Sequence, residues 1–137
     1  MIFRKVTKTD YVSYYTLINQ FRETMFSKED FDIYIDTLPS NIEIWVLEEH
    51  MMIIASATII IEPKLIFNLC KFAHIEDVCV LESHRQNNVG SYLLKCVREQ
   101  CILHGCRKIT LVCNQNIQNF YTKNGFEVRG VQCSLLL

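Results

Sequence analysis

His-Ile-Glu-Asp-Val-Cys-Val-Leu-Glu-Ser-His-Arg-Gln-Asn-Asn-Val-Gly, residues 74–90, is the most informative segment of this chain for predicting its fold. Its first half is rich in strand-forming apolar residues, and apolar residues at helical spacing begin at Val89. The stretch therefore predicts a buried strand, a short turn and the start of a helix. The first turn of a helix carries unpaired backbone N–H groups and a partial positive charge, which together favour a bound phosphate. Arg85 precedes this helix, and Gly90 allows a ligand to come close to the backbone.

A second interpretation of the same turn needs no ligand. Arg-x-x-Asn-x-Gly is a weaker signal than a turn built from several glycines. Asn87 or Asn88 has a side chain that caps helices well, so the stretch also fits a polar turn between a strand and a helix. These residues alone leave both interpretations open.

The composition indicates one folded domain, residues 1–137. Half of the 137 residues are hydrophobic and the formal net charge is −1, which fits a globular protein and argues against a general polyanion binder. The longest apolar run, Met51–Ile61, is interrupted and shorter than the ~20 residues that span a bilayer. The N-terminus, Met-Ile-Phe-Arg-Lys, lacks the apolar segment of a signal peptide. We therefore expect a cytoplasmic protein.

The seven cysteines are an odd number and form no Cys-x-x-Cys pair. Cys101 and Cys106 with His104 are the nearest approach to a zinc motif, but they would project from the end of a helix and no second cluster completes a tetrahedral set. We therefore expect no metal, and buried reduced thiols in a reducing compartment.

The remaining pattern predicts a mixed α/β (α+β) domain, with helices packed on a largely antiparallel sheet. The predicted elements of the first half are a strand over Ile2–Val6, a helix over Tyr11–Phe21 capped by Asp10, a helix opened by a capping box at Ser27–Asp30 and ending near Leu38, and a hairpin of Glu43–Leu47 with Met52–Glu62. After the strand of residues 74–80, the predicted elements are a helix over Val89–His104 with Gly105 as its left-handed cap, a strand over Arg107–Cys113, a short helix over Ile117–Asn124 and strand-like residues Phe126–Leu137.

This order of elements resembles the GNAT superfamily of acyl-CoA-dependent N-acetyltransferases over nearly the whole chain. The motifs that carry the resemblance are Arg85–Gly90 after a strand and Asn-Phe-Tyr-Thr-Lys-Asn-Gly-Phe at 119–126. Within that superfamily, Ala55–Glu62, His-Ile-Glu-Asp-Val at 74–78 and Gly-Cys-Arg-Lys-Ile-Thr-Leu at 105–111 are similar to the glucosamine 6-phosphate N-acetyltransferases. The resemblance implies acetylation of the amine of glucosamine 6-phosphate, a step that feeds the synthesis of UDP-N-acetylglucosamine.

The resemblance also implies how acetyl-CoA is bound as the co-substrate. Its diphosphate would lie over backbone amides beside Arg85, and its pantetheine arm would pair with a strand where the sheet splays open. The implied diphosphate residues are Gln86, Asn87, Asn88, Val89 and Gly90, and the implied pantetheine residues are Val78, Cys79 and Val80. Ile117 stands where an asparagine is usual, so Asn116 or Asn119 is expected to make that contact instead.

The implied chemistry is direct attack of the amine on the thioester in a ternary complex. Tyr121 matches the general acid of the family, although an aromatic residue on a helix is also an ordinary core residue. One of Glu76 and Asp77 is expected to order or deprotonate the amine while the other makes structural hydrogen bonds, and a strand N–H of Val78 or Cys79 is expected to stabilise negative charge on the acetyl oxygen. Neighbouring strand residues point to opposite faces, so both carboxylates reach one site only if a bulge intervenes.

Basic side chains are expected to bind the sugar phosphate. Lys71 and the pair Arg107-Lys108 match acceptor-site positions of the family, the pair reaching across a dimer interface, and Arg22 is a further candidate. An ordinary solvated charged face explains the same residues equally well. The family also forms homodimers that share C-terminal strands, so we expect a homodimer.

Two departures from the family concern the acceptor rather than acetyl-CoA. Val112 replaces a usual acidic residue, and Leu135–Leu137 lacks the usual basic one. The sequence therefore leaves open a GNAT enzyme acting on another small amine or on a protein N-terminus, and a non-catalytic acyl-CoA-binding module.

Overall fold

A computed structural model describes residues 1–137 and contains one five-stranded sheet in the order β1-β2-β3-β4-β5. The strands are β1 (Ile2–Lys5), β2 (Ile42–Glu49), β3 (Met52–Pro63), β4 (Lys71–Val80) and β5 (Cys106–Leu111), and the helices are α1 (Tyr11–Phe21), α2 (Lys28–Thr37), the single turn α3 (Ile66–Leu69), α4 (Val89–Leu103) and α5 (Gln118–Lys123). The first four strands are antiparallel to their neighbours, and β4 and β5 are parallel. The predicted mixed, largely antiparallel α/β fold is therefore confirmed.

The core is built around β3, the middle strand of the sheet. Every residue from Ile53 to Ile59 is buried. Because successive side chains of a strand alternate between its faces, both faces are covered along this stretch. Helices α1 and α4 both pack against β3 and β4, and their buried faces include Leu17 and Leu93, which have no solvent exposure. Helices α1 and α4 together with β3 therefore hold β4 in place.

Two predicted capping features are confirmed. The capping box of α2 is present, because the Ser27 hydroxyl accepts the Asp30 N–H at 3.0 Å and the Asp30 carboxylate accepts the Ser27 N–H at 2.8 Å. Gly105 follows α4 with a φ of +75°, the left-handed conformation that glycine adopts without strain.

Three local predictions are wrong. Asp10 does not cap α1 with its side chain, because Arg4 and Thr7 occupy its carboxylate. Neither Asn87 nor Asn88 caps α4 by its side chain, and Asn88 instead has a left-handed φ of 56°. Residues 126–137 form no strand, and the tail beyond Phe126 is exposed. The outer edge of β5 and the second half of β4 are unpaired in the chain, and the tail pairs with neither of them.

The structure also bears on the expectations about cysteines, metal binding and membrane spans. All seven cysteines are free thiols. No group of three or more His, Cys, Asp or Glu side chains is arranged to hold a metal ion, and His104 instead lies 3.0 Å from the carboxylate of Glu43. None of the helices combines the length and the apolar character needed to cross a membrane.

Candidate active site

A bulge in β4 brings the two adjacent carboxylates to one cavity. In the β3–β4 register Glu76 faces Thr58 and Cys79 faces Ser56, so two residues of β4 lie opposite one residue of β3. Asp77 is the bulged residue, with a left-handed φ of 50°. The extra residue breaks the strict alternation of the strand. As a result Glu76 and Asp77 both line a cavity of about 410 Å³.

This β4–α5 cavity lies where β4 separates from β5. It is lined by Phe21, Arg22, Ile75, Glu76, Asp77, Val78, Leu111, Val112, Cys113, Asn114, Ile117, Tyr121 and Gln132. The last paired residues of the two strands are Ile75 and Leu111, and β4 continues to Val80 with no strand beside it on that edge. The sheet is therefore open where the second half of β4 passes the cavity.

The hydrogen bonds of β4 determine which of its amides face the open edge. Leu81 donates its N–H to Ile54 of β3 at 2.9 Å. By alternation along the strand, the backbone groups of Cys79 also face β3, and those of Val78 and Val80 face the open edge. The carbonyl of Val80 accepts the Arg85 Nε at 3.1 Å on that side. Of the two strand amides expected to contact the acetyl oxygen, Val78 is thus the one with access to the cavity.

Cys79 has a packing role in this arrangement. Its thiol is buried, and that burial raises its pKa to about 12. At neutral pH the sulfur is therefore protonated and is not a nucleophile.

The turn before α4 presents a row of unpaired backbone amides. Between Gln86 and Ser91 only Asn87 donates its N–H to another backbone group, to His84 at 3.2 Å. The other amides belong to the turn itself and to the first helical turn, where no intrahelical acceptor exists. Such a set of free N–H groups at the start of a 15-residue helix suits a diphosphate. The residues present therefore fit the phosphates of acetyl-CoA.

Gly90 holds this turn close to α5. A Cβ built on Gly90 would come within 3.0 Å of the Phe120 ring. The glycine thus allows the first turn of α4 to approach the helix that carries Tyr121.

Tyr121 is buried on α5 and faces the β4–α5 cavity. Its ring packs edge-on against Phe120 and Phe126, with centroids 5.0 and 5.9 Å away. Burial raises the pKa of its phenol above the usual value, with a smaller contribution from Cys113. The Tyr121 hydroxyl makes no hydrogen bond to another protein group. Every buried side-chain oxygen and nitrogen of the protein has a partner, so this hydroxyl is not fully buried and is accessible from the cavity.

A second cavity of about 410 Å³ lies between α1 and α2. This α1–α2 cavity is lined by Tyr14, Ile18, Phe21, Arg22, Thr24, Phe26, Asp30, Phe31, Tyr34 and Asp77. Phe21, Arg22 and Asp77 line both cavities, so the two adjoin at these residues. This aromatic-lined α1–α2 cavity was not predicted from the sequence. The available signal was the density of aromatic residues from 11 to 34, which line this cavity as well as contributing to the core.

The basic residues expected at the acceptor site lie elsewhere within this chain. Lys71 and Lys108 are at the beginning of β4 and β5, at the other end of the sheet from Glu76. The Lys71 ammonium donates to the carbonyl of His104 at 3.3 Å, and the Lys108 ammonium lies 4.1 Å from the centroid of the Phe72 ring. Neither these lysines nor Arg107 lines either cavity.

The asparagines nearest the cavity also differ from those expected. Asn116 and Asn119 are exposed and do not line it, whereas Asn114 and Gln132 do. Val112 and Ile117, two of the three departures noted in the sequence, both line the cavity and make that wall apolar.

Comparison with known proteins gives a consistent result. Residues 11–126 match the acetyltransferase (GNAT) family. The chain is 33% identical to glucosamine 6-phosphate N-acetyltransferase 1 of Dictyostelium discoideum over 132 residues, covering 90% of this chain and 82% of that protein. It is 32% identical to the glucosamine 6-phosphate N-acetyltransferase of Candida albicans over 142 residues, covering 95% and 91%.

A solved structure has the same fold over the same length. Glucosamine-6-phosphate N-acetyltransferase from Arabidopsis thaliana superposes with a TM-score of 0.92 at 29% identity, covering 98% of this chain and 97% of that one. A sheet that opens beside β4, an amide-lined turn at the start of α4 and these matches lead to one assignment. The chain belongs to the acetyltransferase (GNAT) family and is an acetyl-CoA-dependent N-acetyltransferase.

Proposed function

We propose that this enzyme transfers the acetyl group of acetyl-CoA to the amine of glucosamine 6-phosphate, by direct attack in a ternary complex. The observation that carries the proposal is the bulge at Asp77, which turns two carboxylates toward the cavity that Tyr121 also lines. The identity of about a third to named glucosamine 6-phosphate N-acetyltransferases of two organisms supports the choice of acceptor.

The proposed contacts to acetyl-CoA use backbone groups. The free amides of Gln86, Asn88, Val89 and Gly90 would hold the diphosphate, with the exposed Arg85 beside them and Asn87 contributing its side chain. The open edge of β4 at Val78 and Val80 would pair with the pantetheine arm, over the buried Cys79. Asn114 replaces Asn116 and Asn119 in this proposal, because it lines the cavity and they do not.

Acetyl-CoA supplies an activated acetyl thioester, and the side chains of the cavity manage the protons. We assign Asp77 to hold the acceptor ammonium and remove its proton, because it borders both cavities, and Glu76 to assist it from the same wall. The N–H of Val78 would donate a hydrogen bond to the acetyl oxygen. As the new C–N bond forms and the C–S bond breaks, Tyr121 would give its proton to the departing sulfur.

Measurement of thiol release from acetyl-CoA tests the acceptor. The acceptors to compare are glucosamine 6-phosphate, glucosamine and a peptide with a free N-terminus, with the Asp77→Asn variant as a control for the cavity. We expect the sugar phosphate to have the highest kcat/KM and Asp77→Asn to lose most activity toward every acceptor. A preference for the peptide would replace the proposal with N-terminal acetylation. Binding of acetyl-CoA without turnover on any acceptor would point to a non-catalytic module.

A homodimer is part of the same proposal. Two exposed apolar segments support it: the end of the chain, Leu135–Leu137, and the segment Leu65–Leu69 around α3. A monomer would leave both in water, which favours burial against a second copy. Lys71, Arg107 and Lys108 would then serve the acceptor site of the partner subunit. Sedimentation that shows only monomer at micromolar concentration would exclude this part.

We also propose that the enzyme acts in the cytoplasm. All seven cysteines are free, and four of them are buried as small apolar groups. Thiols persist in this state in a reducing compartment. Labelling of the native protein with a thiol reagent after rapid extraction tests this: disulfides recovered from the cell would contradict it.

A further inference from the structure

Arg22 stands at the junction of the two cavities. It is the only lysine or arginine among the residues that line either cavity, and it lines both. Its neighbours at the junction are Phe21 and Asp77. A single cation therefore faces the space beside the carboxylate that we assign to the acceptor amine.

The backbone around Arg22 is fixed while its side chain is free. Arg22 ends α1 in an extended conformation, and its N–H donates to Ile18 at 2.8 Å. Two residues later, the Thr24 N–H donates to the Asn19 side chain at 3.0 Å. These hydrogen bonds hold the chain on both sides of Arg22 and point to a defined position for the base of its side chain.

The guanidinium of Arg22 has no partner in the protein. Arg4, Arg85 and Arg129 each form an ion pair with a carboxylate of the chain. Arg22 forms none, although Asp77 lines the same two cavities. All five of its N–H donors are therefore available to a ligand.

The charges at the junction match a ligand that carries both signs. Asp77 complements an ammonium, and an unpaired guanidinium binds phosphate through two parallel hydrogen bonds. The aromatic walls of the α1–α2 cavity beside them suit the carbon skeleton between the two charged groups. We infer that Arg22, within the same subunit as Asp77 and Tyr121, binds the phosphate of the acceptor and sets the preference for a phosphorylated amine.

This inference rests on the proposed function for its acceptor, and it differs from it in one respect. The basic residues expected from the sequence lie at the far end of β4 and would act only from a partner subunit. Arg22 needs no partner subunit, because it lines the cavities of its own chain.

The test compares Arg22→Gln and Arg22→Lys with the wild-type enzyme. The control is Arg98→Gln, the same substitution at an exposed arginine of α4 that lines neither cavity. We expect Arg22→Gln to lower the ratio of kcat/KM for glucosamine 6-phosphate to that for glucosamine by about 10- to 100-fold, the effect of losing a hydrogen-bonded charge. The change should appear chiefly in KM, and Arg22→Lys should recover part of the ratio. An unchanged ratio in Arg22→Gln would overturn the inference.

A binding measurement separates this inference from the proposed function. Calorimetric titration of the coenzyme A-loaded protein with glucose 6-phosphate, which has no amine, reads phosphate binding without turnover. We expect Arg22→Gln to weaken this binding by about 10- to 100-fold and Arg98→Gln to leave it unchanged. If the wild-type enzyme acetylates neither amino sugar, the proposed function fails and this titration alone decides the role of Arg22. Binding that is equal in wild type and Arg22→Gln, or absent from wild type, would overturn it.

Discussion

The phenol of Tyr121 is kept in its protonated form by its surroundings. It is buried among aromatic rings, and burial raises its pKa above the usual tyrosine value. No cation of the chain offsets that effect. The hydroxyl is therefore suited to donate a proton and poorly suited to accept one as a base.

Replacement of Tyr121 by phenylalanine tests this assignment. We expect Tyr121→Phe to lower kcat by about 10²- to 10⁴-fold, the usual contribution of a general acid. The dissociation constant of acetyl-CoA should change little, because the proposed contacts to it are backbone amides on β4 and α4. In the wild type, any loss of rate from ionisation of the phenol should begin above a pH of about 10, because the pKa of Tyr121 is raised above the usual tyrosine value. Weakened acetyl-CoA binding with an unchanged kcat would contradict the assignment.

Asp10 stabilises the fold rather than the site. Its carboxylate is buried and accepts hydrogen bonds from Arg4 at 2.7 and 2.8 Å and from the Thr7 N–H at 2.7 Å. Burial acts to raise its pKa, but the hydrogen bonds from Arg4 and Thr7 outweigh it and the pKa is lowered. The folded state therefore stabilises the charged form of the Asp10 carboxylate relative to the unfolded chain.

This arrangement predicts a pH-dependent loss of stability for Asp10→Asn. At pH 7 the variant should be less stable by about 1–3 kcal/mol, because a charged hydrogen-bond acceptor is lost. A lowered pKa means that the stabilisation is present above the unfolded value of about 4 and disappears as the pH falls through the folded value. The difference between wild type and variant should therefore narrow below a pH of about 4. Urea unfolding at pH 7 and pH 3 measures it.

The matched control for this experiment is Asp36→Asn. Asp36 pairs with Lys8 on the exposed surface, and both side chains are largely in water. We expect a change within about 0.5 kcal/mol, as is usual for exposed ion pairs. If Asp10→Asn lowers the free energy of unfolding no more than Asp36→Asn does, the buried Arg4–Asp10 pair is no more stabilising than the exposed Lys8–Asp36 pair.

At the scale of elements, the start of α4 depends on its contact with α5. Gly90→Ala would place a methyl group 3.0 Å from the Phe120 ring, closer than van der Waals contact. Either the ring or the first turn of α4 must shift, so we expect a coenzyme A dissociation constant raised by about tenfold and a loss of roughly 1 kcal/mol in stability. Titration calorimetry and urea unfolding measure the two effects.

A second substitution identifies the cause. Phe120→Leu removes the ring edge that the new methyl group meets, so Gly90→Ala combined with Phe120→Leu should bind coenzyme A more tightly than expected from adding the two single effects. Strict additivity would mean that the effect of Gly90→Ala does not pass through Phe120.

The elements themselves were largely predictable from local sequence. Apolar spacing located α1 and α4, and the capping box at Ser27 and the glycine at 105 marked helix ends that the structure contains. These signals depend on neighbouring residues only, which a sequence displays directly.

The geometry of the site was less predictable because it depends on distant residues. The bulge at Asp77 follows from the register of β4 against β3, and the adjacency of Arg22 to Asp77 follows from the packing of α1 on the sheet. Neither leaves a local pattern in the chain. The error over residues 126–137 has a related origin: apolar residues there indicated a strand, but whether a segment pairs with a sheet depends on distant residues, and this tail pairs with no strand of the chain.

At the scale of the whole molecule, the charged groups of the proposed acceptor site are divided between the two ends of β4. Asp77 and Arg22 border the cavities, whereas Arg107 and Lys108 are exposed on β5 near the start of β4. If the proposed homodimer forms, the second pair reaches a site only in the partner subunit. If two subunits share a site, mixing two variants with different defects can produce heterodimers that contain one intact site.

Mixing of two variants, each altered in a different part of the proposed site, tests for shared sites. One variant carries Tyr121→Phe and the other carries Arg107→Ala with Lys108→Ala. If the basic pair serves the partner subunit, each heterodimer contains one site with every group intact, so a 1:1 mixture that has exchanged subunits should regain about a quarter of wild-type activity at low glucosamine 6-phosphate. The control mixes Tyr121→Phe with Asp77→Asn, whose two positions line the same cavity of one chain, and should regain none. Wild-type kcat/KM for glucosamine 6-phosphate in the Arg107→Ala, Lys108→Ala variant by itself would show that the pair serves no site, and would leave Arg22 as the basic side chain that lines the acceptor site.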